Sequence, residues 1–507
     1  MVTLVGAGPG GRGLLTLAGA EALRQADVVI YDRLVSEDIL ALIPPHAVRV
    51  DVGKESSHHT VPQDGINALL VQHAQRGGSV VRLKGGDCYL FGRGGEECEY
   101  LRAHGIPFRV LPGVTSALAA PAFAGIPVTH RDFCSSVHII TAHAKKNGPL
   151  AIDYENLVRL RGTLVFLMGV TALPEVCAGL LAAGLAPDTP AAVVENGARP
   201  NQRKAVSSVA GLPGAAREMG LKSPAVIVVG AVCSLSGALD WFTPLPLHGK
   251  TVAVTRPRER AGTLAGRLRA LGAEVLELPC VEAVLREDQA PLSCALGCSF
   301  DWAAFTSPTG VHMAVRALRA LGRDLRALYG LRLAAVGPGT AEALAQYGLA
   351  ADLVPQAADG AHLADALLEV LPDDGAVLLL RGSSGDPALR ERLLGADMVV
   401  ADVPLYDTIP RAADAETLRR RLADGTLPLA AFASASAVRG FAQAAQGCDL
   451  SSVRAACIGP QAGQAARAHG FRTVTAKTAS IDALIDCILE EFPDATPNDT
   501  PAPPARG

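Results

Sequence analysis

Residues 80–101 read VVRLKGGDCYLFGRGGEECEYL, and five glycines (Gly85, Gly86, Gly92, Gly94 and Gly95) fall within eleven positions of it. Glycine weakens regular structure and concentrates where the backbone takes positive φ or passes close to another group. Residues 80–83, bounded by Gly77-Gly78, predict a short strand. The acidic, apolar-periodic run Glu96, Glu97, Glu99, Leu101 predicts a helix. A strand that opens through two glycine turns into a helix is a unit of an open α/β sheet, where ligands sit at the carboxyl ends of the strands. Asp87 stands between the turns and has two readings: an acceptor for a ligand hydroxyl or amine, or an Asx turn on its own backbone. The second glycine turn close behind it favours the first.

The same pattern opens the chain. Val2-Thr3-Leu4-Val5 runs into Gly6-Ala7-Gly8-Pro9-Gly10-Gly11, an amphipathic helix is expected over 14–25, and 28–31 reads as the next strand. This βαβ start predicts a parallel sheet. The loop matches G-x-G-x-x-G, with Asp27 and Asp32 roughly 20 residues on, so a nicotinamide-dependent oxidoreductase is one reading. Pro9 removes an N–H where a pyrophosphate cradle would use one, and that reading leaves the later glycine loops unexplained. Further strands are expected at 109–111, which leads into Pro112-Gly113-Val114-Thr115-Ser116, and at 137–141, 163–168, 191–195 and 225–229. Residues 244–249 (PLPLHG) read as a linker before a fresh strand start at 250. The part beyond contains an internal echo: FTSPTGV at 305–311 with FASASAV at 432–438, and AVGPGT at 335–340 with CIGPQA at 457–462. Two similar α/β lobes facing a cleft follow from it. Residues 492–507 are expected to form a disordered tail.

A chain of 507 residues should hold several domains, and its 49% apolar content with 52 glycines suits buried parallel sheets. A net charge of −4 argues against a general nucleic-acid surface. Eleven cysteines without a C-x-x-C pair indicate neither a zinc ribbon nor a disulfide scaffold, and reduced thiols fit a cytoplasmic protein. No metal site is assigned. Gly and Pro interrupt the first apolar run, so no signal peptide is expected. The most apolar region, 163–185, carries Pro174 and Glu175 at its centre, against a membrane span.

The motifs VGAGPG (5–10), YDRLV (31–35), VGK (52–54), RLKGGD (82–87), FGRGGEE (91–97), PGVTSALAAPAFAGIPVTHRD (112–132) and FLMG (166–169) resemble uroporphyrinogen-III C-methyltransferase, of the tetrapyrrole methyltransferase family, over 1–243. From 250 to 491, TRP (255–257), FTSPTGV (305–311), VGPGTAEAL (336–344), LLLRG (378–382) and LYDTIP (405–410) resemble uroporphyrinogen-III synthase. The fold class implied is α/β throughout: a two-domain methyltransferase fold, then a two-lobed parallel-sheet synthase fold with lobes at about 250–284 plus 408–491 and at 285–407. The first part would methylate uroporphyrinogen III twice with S-adenosylmethionine, giving precorrin-2 towards sirohaem and cobalamin, and would form a homodimer. The second would close hydroxymethylbilane to uroporphyrinogen III without a cofactor. Two alternatives stay open: a second half that binds tetrapyrrole without catalysis, and a methyltransferase for a later corrin.

The resemblance also implies site residues. Asp32 would be the base and Lys54 the proton donor of methyl transfer, although Asp32 also suits a turn cap and Lys54 a substrate carboxylate. Cofactor contacts carry over to Pro9, Gly85, Gly86, Asp87, Leu90, Thr115, Ser116, Met168 and Gly197. A substrate with eight carboxylates needs cations, for which Arg12, Arg33, Arg82, Lys84, Arg93 and Arg131 are candidates. Cys88 stands where the family usually has proline, and Gly11-Arg12 where it often has an acidic residue. In the synthase part Tyr406 would be the proton donor, with Thr306, Ser307, Gly337, Ser434 and Gly459 offering N–H and hydroxyl groups to substrate carboxylates.

Overall fold

Strands that are apolar on both faces must lie in a sheet covered on both sides. The computed structural model describes residues 1–53, 61–142, 151–255, 258–411 and 415–492, with backbone alone over 258–263. Lys54, His58, His59, Arg256 and Pro257 of the TRP motif, and the tail from 493 lie outside the described residues. β1 (Val2–Gly6), β2 (Val28–Tyr31), β3 (Val48–Asp51), β4 (Val80–Lys84) and β5 (Phe108–Leu111) form one sheet, ordered β3-β2-β4-β1-β5 and parallel at every pairing. Val2, Leu4, Ile30 and Val80 pack on one face with Leu70 and Leu101; Val5, Val29, Val81 and Leu83 pack on the other with Leu23 and Ile39. The crossover from β1 reaches β2 past β4, and that from β4 reaches β5 past β1. The connections therefore leave β1 and β4 in opposite directions, which marks this pair as the topological switch point at which such sheets bind ligands. The helix expected over 14–25 is shorter: a 3₁₀ turn, Arg12–Leu14, precedes the helix Leu17–Arg24, which is capped by Thr16 Oγ1 accepting from Gly19 N–H at 3.1 Å.

β6 (Val137–Thr141), β7 (Thr163–Leu167), β8 (Pro190–Glu195), β9 (Arg203–Ser208) and β10 (Ala225–Val229) form a second sheet, ordered β6-β7-β10-β8-β9. Here β6 and β7 run parallel and the other pairings are antiparallel. Over 244–249 the chain is ordered: Leu247 is fully buried and donates its N–H to Leu271 O at 2.8 Å, and Gly249 N–H reaches Pro200 O at 2.8 Å.

The remaining strands are β11 (Thr251–Val254), β12 (Glu274–Glu277), β13 (Val281–Leu285), β14 (Trp302–Phe305), β15 (Arg332–Ala335), β16 (Ala376–Gly382), β17 (Val399–Pro410), β18 (Leu429–Phe432), β19 (Arg454–Cys457) and β20 (Arg472–Thr475). They make two sheets, ordered β12-β11-β18-β19-β20 and β13-β17-β16-β14-β15. In the latter β14 to β17 pair in parallel, and β13 is an antiparallel edge strand on the long β17. The internal echo is conformational as well. Ser307 (φ −166°, ψ 154°) matches Ser434 (φ −164°, ψ 157°), and Gly337 (φ −176°, ψ 176°) matches Gly459 (φ −168°, ψ 176°), each preceding a helix. By internal contacts the chain separates into two units, one of Met1–Val252, Thr263–Leu276 and Ile485 onward, the other of Ala253–Gly262 and Glu277–Leu484.

Candidate active site

Four strands of the first sheet run out into the expected residues: β1 into the Pro9 loop, β2 into Asp32, β4 into Gly85-Gly86-Asp87 and β5 into the 112–116 turn. Main chain joins three of these loops at the switch point. Gly8 N–H donates to Gly86 O at 3.1 Å, Gly86 N–H returns to Gly8 O at 2.9 Å, and Ala7 N–H reaches Lys84 O at 2.8 Å. A Cβ on Gly6 would lie 2.5 Å from Gly113 N and 2.8 Å from Gly86 O, and one on Gly113 would strike the same carbonyl. Only glycine permits that approach.

Asp87 holds the arrangement. Its Oδ1 accepts from Tyr89 N–H (2.8 Å) and Leu90 N–H (3.0 Å), and its Oδ2 from Gly113 N–H (3.0 Å). The Asx turn that the sequence reading ranked second is thus present, and the other carboxylate oxygen ties the β4 loop to the β5 turn. Gly86 has φ +70°, and a Cβ there would meet nothing nearer than Ser116 N at 4.0 Å. The missing side chain leaves a bay against the amide end of the helix Ser116–Phe123, whose Thr115 cap accepts from Ala117 N–H at 3.2 Å. Backbone amides at such an end suit a polar or anionic ligand group. Leu90 packs partly buried beside Ile126 and Val165. Met168, φ +57°, stands half-exposed just after β7, and a Cβ on Gly197 would strike Ala120.

Arg199 and Gln202 carried no sequence signal. Arg199 donates to Pro9 O (3.1 Å) and Leu34 O (2.6 Å), and burial lowers its pKa. Gln202 accepts from Ala198 N–H at 2.9 Å and donates to Phe123 O at 3.0 Å. A Cβ on Gly10 would strike Ala198 O, so the first loop rests on the 196–202 turn.

The cations divide. Arg82 and Lys84 alternate with Val80 on the β4 face that the helix Gly94–Ala103 covers, and both are buried. Glu97 Oε1 accepts from Arg82 Nε (3.1 Å), Lys84 Nζ (3.0 Å) and Gln63 Nε2 (3.2 Å), while Glu97 Oε2 has no partner among the described residues. These two charges, expected on the substrate side, therefore face an internal counter-ion. Arg82 Nη2 also lies 3.9 Å from Asp32 Oδ2, and Asp32 Oδ1 accepts from Leu34 N–H (3.1 Å) and Gly85 N–H (3.3 Å). Arg12 bonds Asp38, Arg33 lies against Gly53, Arg93 pairs with Glu96 at 2.9 Å, and Arg131 is exposed. Cys88 is fully buried, and burial pushes its thiol up to about 12, so it is no nucleophile.

In the second half Tyr406 lies in β17, 7% exposed, its hydroxyl 3.3 Å from Ser307 Oγ. Its ring covers Gly382, where a Cβ would lie 2.9 Å from Tyr406 Cζ. Ser307 Oγ and Ser434 Oγ cap their helices, accepting from Gly310 N–H (3.0 Å) and Ala437 N–H (3.2 Å). Thr306 is half-buried beside Ser307, and Gly337 and Gly459 stand at the equivalent helix entries. Asp407, unremarked in the sequence, accepts from Ser383 Oγ (2.5 Å) and Arg286 Nη1 (3.2 Å). Among the described residues no helix is long and apolar enough to cross a membrane, and no group of three or more His, Cys, Asp or Glu is placed to hold a metal ion.

Residues 1–213 match the profile of the Tetrapyrrole (Corrin/Porphyrin) Methylases, and 262–486 that of Uroporphyrinogen-III synthase HemD. Siroheme synthase 2 of Yersinia enterocolitica is 50% identical over 250 residues, 49% of this chain and 52% of that one, so the chain spans about half of that relative. The crystal structure of uroporphyrin-III C-methyl transferase from Thermus thermophilus, complexed with S-adenyl homocysteine, is 39% identical over 46% of this chain and 99% of that one, with a TM-score of 0.40. The porphyrin biosynthesis protein HemD of Ruminiclostridium josui is 45% identical over 491 residues, 96% of this chain and 97% of that one. The chain therefore belongs, over nearly its whole length, to the tetrapyrrole-biosynthesis family in which a tetrapyrrole methylase is fused to a uroporphyrinogen-III synthase.

Proposed function

We propose that residues 1–243 methylate uroporphyrinogen III twice to precorrin-2 and that residues 250–491 cyclise hydroxymethylbilane to uroporphyrinogen III. The observation that most supports the first activity is the bay over Gly86, open towards Ser116 N–H and bounded by glycine main chain. Pro9, Gly85, Gly86, Asp87, Leu90, Thr115, Ser116, Met168 and Gly197 would hold S-adenosylmethionine, which when bound supplies an electrophilic methyl group. Asp87 acts by fixing the loops, since its oxygens already accept three backbone N–H groups. Asp32, oriented by Leu34 and Gly85 N–H, takes the proton that the methylated macrocycle must lose from a position next to the new quaternary carbon, a bridging carbon or the ring N–H, and Lys54 is its acid counterpart. Arg12, Arg33, Arg93 and Arg131 bind substrate carboxylates, while Arg82 and Lys84 act through Glu97.

In the synthase half, Tyr406 donates to the departing hydroxide of the bilane, with Ser307 holding its hydroxyl. Thr306, Gly337, Ser434 and Gly459 present hydroxyl and N–H groups to the carboxylates. We also infer a homodimer through residues 1–243, at work in the cytoplasm. Incubating the purified chain with hydroxymethylbilane tests the reading: uroporphyrinogen III alone without S-adenosylmethionine, and precorrin-2 with it. Type I product in the first case, or no methylation in the second, would overturn the corresponding half.

A further inference from the structure

A segment near the start of the second half groups with the first half. Thr263–Leu276 belongs to the same unit as Met1–Val252. From this segment Arg269 Nη2 donates to Asp38 Oδ1 at 2.7 Å. Asp38 in turn holds the end of the first glycine loop. Its Oδ2 accepts Arg12 N–H at 3.0 Å, its Oδ1 lies 2.9 Å from Arg12 Nε, and its main-chain oxygen accepts from the same Nε at 3.3 Å. One carboxylate thus fixes both the backbone and the side chain of Arg12 while bound to a residue 231 positions away.

A second contact acts elsewhere on the same loop. Arg199 holds Pro9 O and Leu34 O. A loop whose glycines confer freedom is thereby held at Pro9 by Arg199 and at Arg12 by Asp38, and Asp38 is paired with a residue of Thr263–Leu276.

We propose that Arg269 is a positioning residue for methyl transfer, bracing the Arg12 end of the first glycine loop through Asp38. The segment that carries Arg269 is then part of what preorganises the methyltransferase. The kinetic readout rests on reading residues 1–243 as a uroporphyrinogen-III methyltransferase; the structural readout does not.

The test uses the full chain with Arg269→Ala and Arg269→Lys. Amide exchange at Arg12, KM and kcat for uroporphyrinogen III, and hydroxymethylbilane cyclisation are measured for each. Losing one partly exposed charge pair should raise KM roughly two- to fivefold with little change in kcat. Arg12 should exchange faster, Arg269→Lys should recover most of both effects, and cyclisation should stay at the parent level. Parent-like exchange at Arg12 in Arg269→Ala would overturn the proposal. So would parallel losses of kcat and of cyclisation, which would mark a general loss of structure. A parent chain that fails to methylate would count against the functional reading alone, and exchange at Arg12 would then decide the brace.

Discussion

The guanidinium of Arg82 connects two carboxylates, with Nε 3.1 Å from Glu97 Oε1 and Nη2 3.9 Å from Asp32 Oδ2. Lys84 completes a line of alternating charge that ends at the partly exposed Asp32. Asp32 is partly exposed, so the proposed base is backed by a buried electrostatic support.

That support makes Glu97→Gln costly. The substitution leaves two buried cations facing a neutral amide, and breaking a buried pair typically costs about 3–5 kcal/mol. Denaturant unfolding should show a lower midpoint for the transition of the first half. An unchanged midpoint would mean that water, reaching Lys84 and Arg82, replaces the carboxylate.

Asp87→Ala removes the acceptor of three backbone N–H groups, which frees the β4 loop from the β5 turn. Hydrogen bonds to a charged acceptor contribute about 1.5–3 kcal/mol each, so a loss of even one corresponds to roughly tenfold or more in S-adenosylmethionine affinity if the bay depends on it. Calorimetric titration checks this, with cyclisation of hydroxymethylbilane unaffected. Parent affinity would show that the glycine contacts hold the loops by themselves.

How much of this was legible depended on range. The strands of the first two sheets declared themselves through apolar runs and glycine stops, but β3 and β9 did not. Both are sheet edges whose outward residues, such as Arg49 and Arg203, break the apolar signal. Arg82 and Lys84 look like surface cations when read singly. Their spacing of two from Val80 puts them on a buried face, and that spacing calls for the acid found at Glu97 on the next helix. The Asx bonds of Asp87 are local and were readable, whereas the Gly113 bond and the grip of Arg199 on Pro9 join distant positions and leave no periodic trace. The internal echo was read from small residues and a proline, and it reappears as matched backbone angles at Ser307 and Ser434.

Burial gives Cys88 a testable chemistry. With its pKa pushed up to about 12, the thiol stays protonated near neutral pH, and only the thiolate alkylates. Iodoacetamide at pH 8 followed by peptide mass mapping should label the exposed Cys294 and Cys298 and spare Cys88 until the chain is unfolded. Reactivity should rise as pH approaches the raised value. Rapid labelling of Cys88 in the folded chain would show that the site opens to solvent.

Tyr406→Phe removes the hydroxyl beside Ser307 and keeps the ring over Gly382. Proton donation by one group typically contributes ~10²–10⁴-fold, and a readily formed azafulvene places this case at or below the low end. More type I isomer should escape, because spontaneous closure yields it. The ratio of type III to type I product, measured with kcat, decides: parent values would reduce Tyr406 to a packing residue.

The contact between Gly6 and Gly113 has a hereditary consequence. A Cβ at either position runs into main chain, which cannot swing aside as a side chain would. Any base change in the first two places of a glycine codon either installs such an atom or ends the chain, and alanine is no gentler than a larger residue. The polar rim can therefore drift one residue at a time as substrates or partners change, whereas the hinge of bare backbone beneath it has no neighbouring sequence to drift into.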